Sequence, residues 1–221
     1  MLKMGLGYGY VAYTLLALLL VGAVVLAPLA ALNKWDSVAK WLYNGGKVLG
    51  HQWIYRAYCI FDDGGSLKIE DCIPHGKENV AYIKTEYTES SKEWDGMFKY
   101  SRTQIGRNRA ERVERDGMVG YKFLVCARNT AIFVGLLVAG VTLLMLPGKR
   151  HALPNLALLI VGLIPMGIDG TGQLIGLWES TNLSRMITGL IAGFALGYFI
   201  AVMLNDIVTS LIQVHAQQRD L

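Results

Sequence analysis

The sequence predicts an all-α integral membrane protein with four transmembrane helices and a small α+β outer insertion between helices 1 and 2. Of the 221 residues, 53% are hydrophobic and only 17% are charged, below the roughly 25% of charged residues in a typical soluble domain. The apolar residues are gathered in runs that can each cross a hydrocarbon core, which needs roughly 20 helical residues. These runs are residues 8–32, 123–146, 152–177 and 186–204.

The first run has one alternative interpretation. Apart from Gly, Thr and Pro28 it is apolar throughout, and a secretory signal peptide could use Lys3 as its basic region and residues 27–31 as its cleavage site. A run of about 25 residues is long for the apolar region of a signal peptide. We therefore expect an uncleaved transmembrane helix at residues 1–32.

The basic residues near the ends of the runs predict the orientation. Lys3, Lys149, Arg150 and Arg219 flank the amino terminus, the second loop and the carboxyl terminus. Four helices place all three segments on one side, and the positive-inside rule makes that side cytoplasmic. The insertion at residues 33–120 is then extracytoplasmic, and residues 121–221 form a three-helix membrane domain.

The charge distribution does not indicate a nucleic-acid-binding protein. The net charge is +4, but the insertion holds nearly equal numbers of basic and acidic side chains. Its local run of arginines is interspersed with Glu111, Glu114 and Asp116, which is typical of the solvated face of a helix; contact with lipid headgroups or an anionic partner is the alternative. The expected partners are the lipid bilayer and either other membrane protein subunits or further copies of the chain.

The insertion begins with a pattern typical of an interfacial helix. In residues 33–49, Trp35, Val38 and Leu42 share one helical face, while charged residues lie off it. Two glycines at 45–46 then interrupt the pattern. We expect this helix to lie at the membrane surface.

A β-hairpin with a disulfide is predicted next, in residues 55–73. If Gly65 and Ser66 form the two-residue turn, Cys59 falls directly opposite Cys72. An outward-facing location favours oxidation of this pair, and two buried free thiols are the alternative. The small α+β cap is completed by a short strand at residues 81–88 and a helix at residues 92–115.

Ionisable and polar residues are concentrated between the last two apolar runs. Such groups are costly at membrane depth and by default indicate a functional site. Asp169 and Gln173 share a helical face if the third run stays helical despite Pro165 and three glycines. The polar residues of this stretch are Asp169, Gln173, Glu179, Asn182 and Arg185.

Three interpretations of these residues are open. Arg128 and Arg185 have Asp169 and Glu179 as natural partners in bidentate pairs, which would form a structural ion-pair network. A ligand-binding or catalytic site and an interface to another subunit are the alternatives. Additional polar residues favour a functional site; they are Gln173, Thr188, His51 and Cys126.

Small residues predict where two of the helices cross. A double GxxxG pattern in the fourth run permits close approach of another helix in the bilayer, and small residues at matching spacing occur in the second run. The two sets are Gly189, Gly193 and Gly197, and Ala131, Gly135 and Ala139.

The polar strings resemble a family of prokaryotic membrane proteins known as domain of unknown function 2085. That family has a Cys-His-Gln…Arg-Ser string, a Cys-Ala-Arg-Cys-Thr-Gly string and an Ile-Asp-Gly…Gln…Glu-Ser-Thr-Asn…Arg…Thr-Gly string. Here the third is nearly intact within residues 168–189, the second survives at 126–130, and the first survives as His51 and Gln52 with Arg56.

The departures from the family pattern bear on metal binding. Gly50 and Asn129 stand where the pattern has cysteines, and Ala57 stands where it has serine. The cysteines and histidine of the family pattern imply a soft-metal site with N and S ligands. This chain retains only His51 and Cys126 of such a set, so no metal is expected and these two are weak candidates.

Three functions are open. A non-catalytic accessory subunit of a membrane complex is slightly favoured because two thiols of the family strings are missing. The first alternative is an integral-membrane enzyme that acts on a lipid-linked or small anionic substrate at the outer leaflet, with Asp169 or Glu179 as general base and His51 as its acid–base partner. The second is a transporter component, and no cofactor is assigned. The candidate ligand-binding residues are Arg128, Arg185, Gln173, Asn182 and Thr188.

Overall fold

A computed structural model describes residues 7–49, 53–74, 81–88, 95–97, 110–145 and 154–219. The chain divides into two compact units, which are described one at a time. The helical unit comprises Met1–Val21, Ala131–Glu179 and Ile187–Leu221, and the sheet unit comprises Gly22–Thr130 and Ser180–Met186.

Within the described residues, four helices are long and apolar enough to cross a membrane, which confirms the four predicted helical runs. The helix α4 continues through Pro165 and the neighbouring glycines. The helix α5 is longer than predicted, since its 38 residues span about 57 Å, against roughly 30 Å for a hydrocarbon core. The four helices are α1 (Tyr8–Leu32), α3 (Ala127–Met145), α4 (Leu156–Leu174) and α5 (Asn182–Arg219).

A proline in α1 creates a contact with a distant part of the sheet unit. Pro28 has no N–H, so the carbonyl of Val24, four residues earlier, loses its partner within the helix. The backbone N–H of Leu124 approaches that oxygen at 3.4 Å. Both Val24 and Pro28 are buried, where an unsatisfied carbonyl would be costly. The proline is therefore tolerated because another segment supplies the hydrogen bond.

The end of α1 is a Schellman motif. Lys34 adopts a left-handed conformation, with φ of 58°, as the residue after a helix cap commonly does. Its N–H donates to the carbonyl of Ala31 at 3.1 Å, and the N–H of Trp35 donates to that of Ala30 at 2.8 Å. The chain thus turns sharply within three residues of the end of α1.

The helix α2 (Asp36–Gly45) follows this turn and continues into a 3-10 turn at Gly46–Val48. The predicted helix is confirmed; of its predicted apolar face, Trp35 and Val38 are exposed, whereas Leu42 is buried within the sheet unit. The buried side chains are Ala39, Leu42 and Tyr43. The Tyr43 hydroxyl donates to the carbonyl of Lys122, and this anchor determines which face of α2 packs inward.

The glycine positions of the helical unit confirm the predicted crossing of α3 and α5. A Cβ atom at Gly193 would meet backbone atoms of Ile132, and one at Gly135 would meet the Leu190 carbonyl oxygen. Close backbone approach of this kind needs small residues on both helices. Gly197 likewise leaves space for Leu136 and Ala139.

A six-stranded antiparallel sheet forms the core of the sheet unit, with strand order β2-β1-β6-β5-β3-β4 in the described residues. The chain is mostly helical with a small sheet, as predicted, but the sheet has six strands rather than a hairpin and one further strand. The sheet also lies between α2 and α3 rather than between the first two helices, because α2 counts as a helix of its own. The strands are β1 (Tyr58–Asp63), β2 (Ser66–Asp71), β3 (Tyr82–Lys84), β4 (Asp95–Met97), β5 (Arg112–Arg115) and β6 (Met118–Lys122).

The hairpin of β1 and β2 contains the predicted disulfide but not the predicted register. Asp63 pairs with Ser66, so the turn is Gly64–Gly65, and both glycines have positive φ, as a type I′ turn requires. Cys59 therefore lies opposite Glu70, not opposite Cys72. The Cys59–Cys72 bond nevertheless forms across a Cα–Cα distance of 4.8 Å, which is within the usual range.

The predicted helix at residues 92–115 is wrong where it can be tested. Residues 95–97 and 112–115 are strands β4 and β5, and residues 98–109 lie outside the described residues. The Asp116–Gly117 pair, which is a strong hairpin signal, connects β5 to β6 with positive φ at both positions. Burial in β5 alternates with a period of two, as in a strand.

Glu111 is also not on a solvated face. It is fully buried, and its carboxylate accepts hydrogen bonds from the backbone N–H groups of Glu86 and Tyr87 at 2.8 and 3.3 Å and from the Thr88 hydroxyl. A buried carboxylate is tolerated when hydrogen bonds compensate its lost hydration. Glu111 therefore fixes the segment that follows β3.

The disulfide should contribute measurably to stability. Because it closes a loop of 13 residues in sequence separation, C59S and C72S should each reduce the free energy of unfolding by about 3 kcal/mol. Thermal unfolding in detergent checks this, with C126A as a control that leaves the bond intact. Recovery of both cysteines in alkylated form, after thiols are trapped in intact cells without reductant, would contradict the disulfide.

The helix crossing predicts opposite effects of one substitution at two glycines. G193A inserts a methyl group against the backbone of Ile132 and should destabilise the protein by about 1–3 kcal/mol. G167A is the matched control on α4, where a Cβ meets nothing within 4 Å, and it should be neutral or stabilising by up to about 1 kcal/mol. Equal unfolding temperatures for the two variants would argue against the crossing.

Candidate functional site

A buried arginine occupies the first turn of α5. Thr181 caps the helix: its hydroxyl oxygen accepts from the N–H of Ser184 and its carbonyl accepts from the N–H of Arg185, both at 3.1 Å. The cap fixes where α5 begins, and so it places Asn182 and Arg185 three residues apart on one side of the helix. Arg185 is only 4% exposed, and a buried charge requires polar partners.

Asn182 connects Arg185 to the β1–β2 hairpin. Its Oδ1 accepts from Nη1 of Arg185 at 3.1 Å, while its Nδ2 donates to Oδ1 of Asp71 at 2.9 Å and lies 3.4 Å from the carbonyl oxygen of Ala57. The amide thus presents its acceptor to the cation and its donor to the anion. Asp71 ends β2 and precedes the disulfide-bonded Cys72, so the start of α5 is held against a rigid hairpin.

Arg56 approaches the same region from the 3-10 turn Ile54–Arg56. Its guanidinium lies over the ring of Trp53 at 4.6 Å and over that of Tyr55 at 5.0 Å, and the two rings are stacked on one another. Cation–π contacts of this kind orient a guanidinium. Arg56 is also close enough to Arg185 for their charges to repel.

Arg128 completes what we call the arginine cluster, namely Arg56, Arg128 and Arg185. It is half-buried in the first turn of α3, after the buried Cys126, and its charge also repels that of Arg185. Both α3 and α5 therefore begin with an arginine at the positive end of the helix dipole, where an anion is stabilised. Such an arrangement is suited to an anionic group.

A tyrosine beside Asp71 is held in its neutral form. Burial, followed by the charge of Asp71, raises the pKa of the Tyr58 hydroxyl. Tyr58 therefore remains a neutral phenol at physiological pH and adds no negative charge near the hairpin end of the Asn182 contact.

The structure brings together only some of the predicted site residues. Arg128, Asn182, Arg185 and Cys126 belong to the sheet unit and are close to one another, as the predicted helix crossing required. Asn129, next to Arg128, donates to the Leu49 carbonyl at 3.5 Å. The candidate His51 lies outside the described residues.

The candidate carboxylates belong to the helical unit. Asp169 is buried and Gln173 half-buried, four residues apart on one face of α4. Glu179 is half-buried in the loop after α4, and Thr188 is half-buried in α5. The loop folds back on α4, with Trp178 filling the space beside Gly172. Pairing of these carboxylates with Arg128 and Arg185 stays a prediction.

Two contributors to the site are not predicted from the sequence. Asp71 is expected there only as a hairpin residue, and the aromatic platform of Trp53 and Tyr55 is not expected at all. The local sequence Trp53-Ile54-Tyr55-Arg56 does contain the two residue types that a cation–π contact needs, an arginine and an aromatic ring. No local signal indicates Asp71, since its partner Asn182 is 111 residues away in sequence.

The sequence pattern of the family described as "Predicted membrane protein (DUF2085)" matches residues 117–199. The chain is 41% identical to an uncharacterized protein of Methanothermobacter thermautotrophicus over 85 aligned residues. The aligned segment covers 38% of this chain and 75% of that protein. The chain belongs to this family. It is also 42% identical over 93 residues to an uncharacterized protein of Methanocaldococcus jannaschii, over 40% of this chain and 58% of that relative, so it spans less than two thirds of that protein.

The membership confirms the resemblance seen in the polar strings. No solved structure matches the chain. The DUF2085 match includes β6, α3, α4 and the first part of α5. It therefore contains Arg128 and Arg185, whereas Arg56 and Asp71 lie before it. The site combines side chains inside and outside the matched segment.

The described residues of this DUF2085 protein do not present a metal-ligand set. In that part of the chain no three His, Cys, Asp or Glu side chains are grouped so as to hold a metal ion. Cys126 is a buried free thiol. Cys126 lies close enough to Arg185 for their charges to interact, and a cationic neighbour opposes the binding of a metal cation.

Proposed function

We propose that this membrane protein binds an anionic group at the arginine cluster. The observation that carries the proposal is the buried Arg185 at the amino end of α5, with Arg56 and Arg128 close enough to repel it. Three guanidiniums in one partly buried region create a positive potential there, and an anion bound among them is attracted by all three charges. Guanidiniums also form bidentate, charge-assisted hydrogen bonds to phosphate and carboxylate.

The surrounding contacts support a preformed binding site. Arg56 is oriented by its two aromatic rings, and Arg185 is oriented by Asn182. Asn182 is itself fixed by Asp71. Because these side chains are held before a ligand arrives, little conformational entropy is lost on binding. In this proposal Arg56, Arg128 and Arg185 contact the anion, and Asn182 positions Arg185.

The ligand chemistry is a phosphate or a similar oxyanion, carried either by a lipid headgroup or by a small soluble molecule. A catalytic role would add Asp169 or Glu179 as a general base and His51 as an acid–base partner to this binding step. A transport role would likewise begin with binding. The anion-binding proposal is therefore the element that the enzyme and transporter alternatives share.

The disulfide supports an extracytoplasmic location for residues 33–120. Disulfides persist in oxidising compartments and are rare in the cytosol of most organisms, and Cys59–Cys72 lies in the sheet of this segment. With both termini cytoplasmic, as the basic residues near the helix ends predict, the arginine cluster faces the outer side of the membrane.

Binding can be tested with purified protein in a neutral detergent. Addition of phosphatidylglycerol should raise the unfolding temperature of the wild-type protein, and phosphatidylcholine should not. R56Q and R128Q should each weaken binding by about 10–100-fold, because a charge-assisted hydrogen bond contributes about 1.5–3 kcal/mol. Inorganic phosphate, tested separately, distinguishes a soluble ligand from a lipid headgroup.

R112Q is the matched control for this experiment. Arg112 lies in β5, where it pairs with Glu86 at 3.4 Å and with Glu114, and its loss should leave anion binding unchanged. Retention of the Cys59–Cys72 bond in each variant verifies the fold. If all four proteins respond equally to phosphatidylglycerol and phosphate, or if none responds, the arginine cluster is not an anion site.

A second candidate function, an accessory subunit of a membrane complex, is favoured by the edge strand β2. This strand is paired on one side only among the described strands, and Leu67 and Ile69 on one of its faces are 59% and 63% exposed. An exposed edge with apolar side chains is a template for an added strand from a partner protein.

The subunit hypothesis predicts a discrete hetero-complex after gentle extraction from the membrane. I69K should dissociate it, because a charge on an edge strand disfavours strand addition, whereas K68Q on the opposite face should leave it intact. Native mass measurements on both variants provide the test. A monodisperse monomer for the wild-type protein would contradict the subunit role.

A further inference from the structure

We propose that α2 lies flat on the bilayer and binds its headgroup region through a second apolar face, directed away from the core of the sheet unit. This inference is independent of anion binding at the arginine cluster. It concerns a different surface, which we call the outer face of α2, consisting of Val38 and Trp41 in α2 and Val48 in the 3-10 turn that continues it.

The two faces of α2 are distinct. Ala39, Leu42 and Tyr43 are buried within the sheet unit. Val38 and Trp41 are three residues apart in α2 and lie on one side of the helix, and Val48 ends the 3-10 turn that continues it. Their exposed fractions are 39%, 75% and 89%.

The position of α2 directly after α1 indicates that the lipid bilayer covers the outer face. The span α1 ends at Leu32, and α2 begins at Asp36 after the Schellman turn. A helix that starts four residues after the end of a membrane span begins within about 14 Å of that end, because each residue spans at most about 3.3–3.6 Å. The outer face is thus continuous with the lipid contact of α1.

The residue types on and beside this face match the headgroup region. Tryptophan is enriched at that depth because its ring is apolar and its N–H is polar, and both Trp35 and Trp41 are exposed. The basic residues Lys34 and Lys40 are exposed as well, and lysine near an apolar helical face favours anionic lipid surfaces.

Fluorescence quenching in nanodiscs that contain phosphatidylglycerol tests the inference. Lipids brominated near the headgroup end of the acyl chain should quench the wild-type protein, and W41F should lose that quenched component. Lipids brominated near the chain terminus should quench Trp41 about twofold less, because interfacial tryptophans do not reach the bilayer centre. Trp41 is 75% exposed and takes no part in the core of the sheet unit, so W41F should retain the fold.

Three results would overturn the inference. Quenching of Trp41 by aqueous iodide but not by brominated lipid would place the face in water. Protection from both quenchers would place a protein partner on it, and stronger quenching by the deep bromines would place it in the hydrocarbon core. W53F separates the two proposals, since Trp53 reports on lipid at the arginine cluster and its result leaves that of Trp41 unaffected.

Discussion

The position of Arg185 depends on one buried amide. Asn182 accepts from the guanidinium and donates to Asp71, so the first turn of α5 and the end of the β1–β2 hairpin share one hydrogen-bond chain. A buried guanidinium without such contacts would be strongly destabilising. The cap at Thr181, the disulfide at Cys72 and the path of the chain after Ala57 all converge on this amide.

The contact also explains why the site is built from distant segments. Arg56 precedes the sheet, Arg128 follows it, and Arg185 begins α5. Each lies near the end or the start of a regular element, where a side chain can be directed without disturbing internal hydrogen bonds. The DUF2085 segment supplies two of the three cations. The earlier segment contributes Arg56 with its aromatic platform.

The sequence contains enough information for the membrane helices and too little for the sheet. The bounds of α1 follow from an uninterrupted apolar run, and the crossing of α3 and α5 follows from glycine spacing. By contrast, residues 92–115 have a helical spacing of apolar side chains, while the Asp116–Gly117 turn and the pairing of β5 with β3 and β6 determine the conformation of residues 112–115. Strand pairing is non-local, so periodicity within one segment cannot reveal it.

In the candidate site, too, some residues can be predicted from the sequence and others cannot. Arg128 and Arg185 can be identified from the sequence because charge is conspicuous in apolar runs, whereas Asp71 becomes part of the site only through folding. The β1–β2 hairpin shows how a small error in the predicted turn changes the predicted strand pairing. A shift of the turn by one residue, from 65–66 to 64–65, moves Cys59 opposite Glu70, although the side chains still reach far enough to form the disulfide.

The hydrogen bond at the carbonyl of Val24 makes the position of the first helix specific, so that α1 is more than a membrane anchor. Pro28 exposes this single acceptor on one side of α1, and Leu124 contacts it at the entrance to α3. Rotation of α1 about its axis, or sliding by one turn, would leave a polar atom facing hydrocarbon. An unrelated apolar helix of equal length would hold the chain in the bilayer but would not form this hydrogen bond to Leu124. The sequence of α1 is therefore a specific part of the fold.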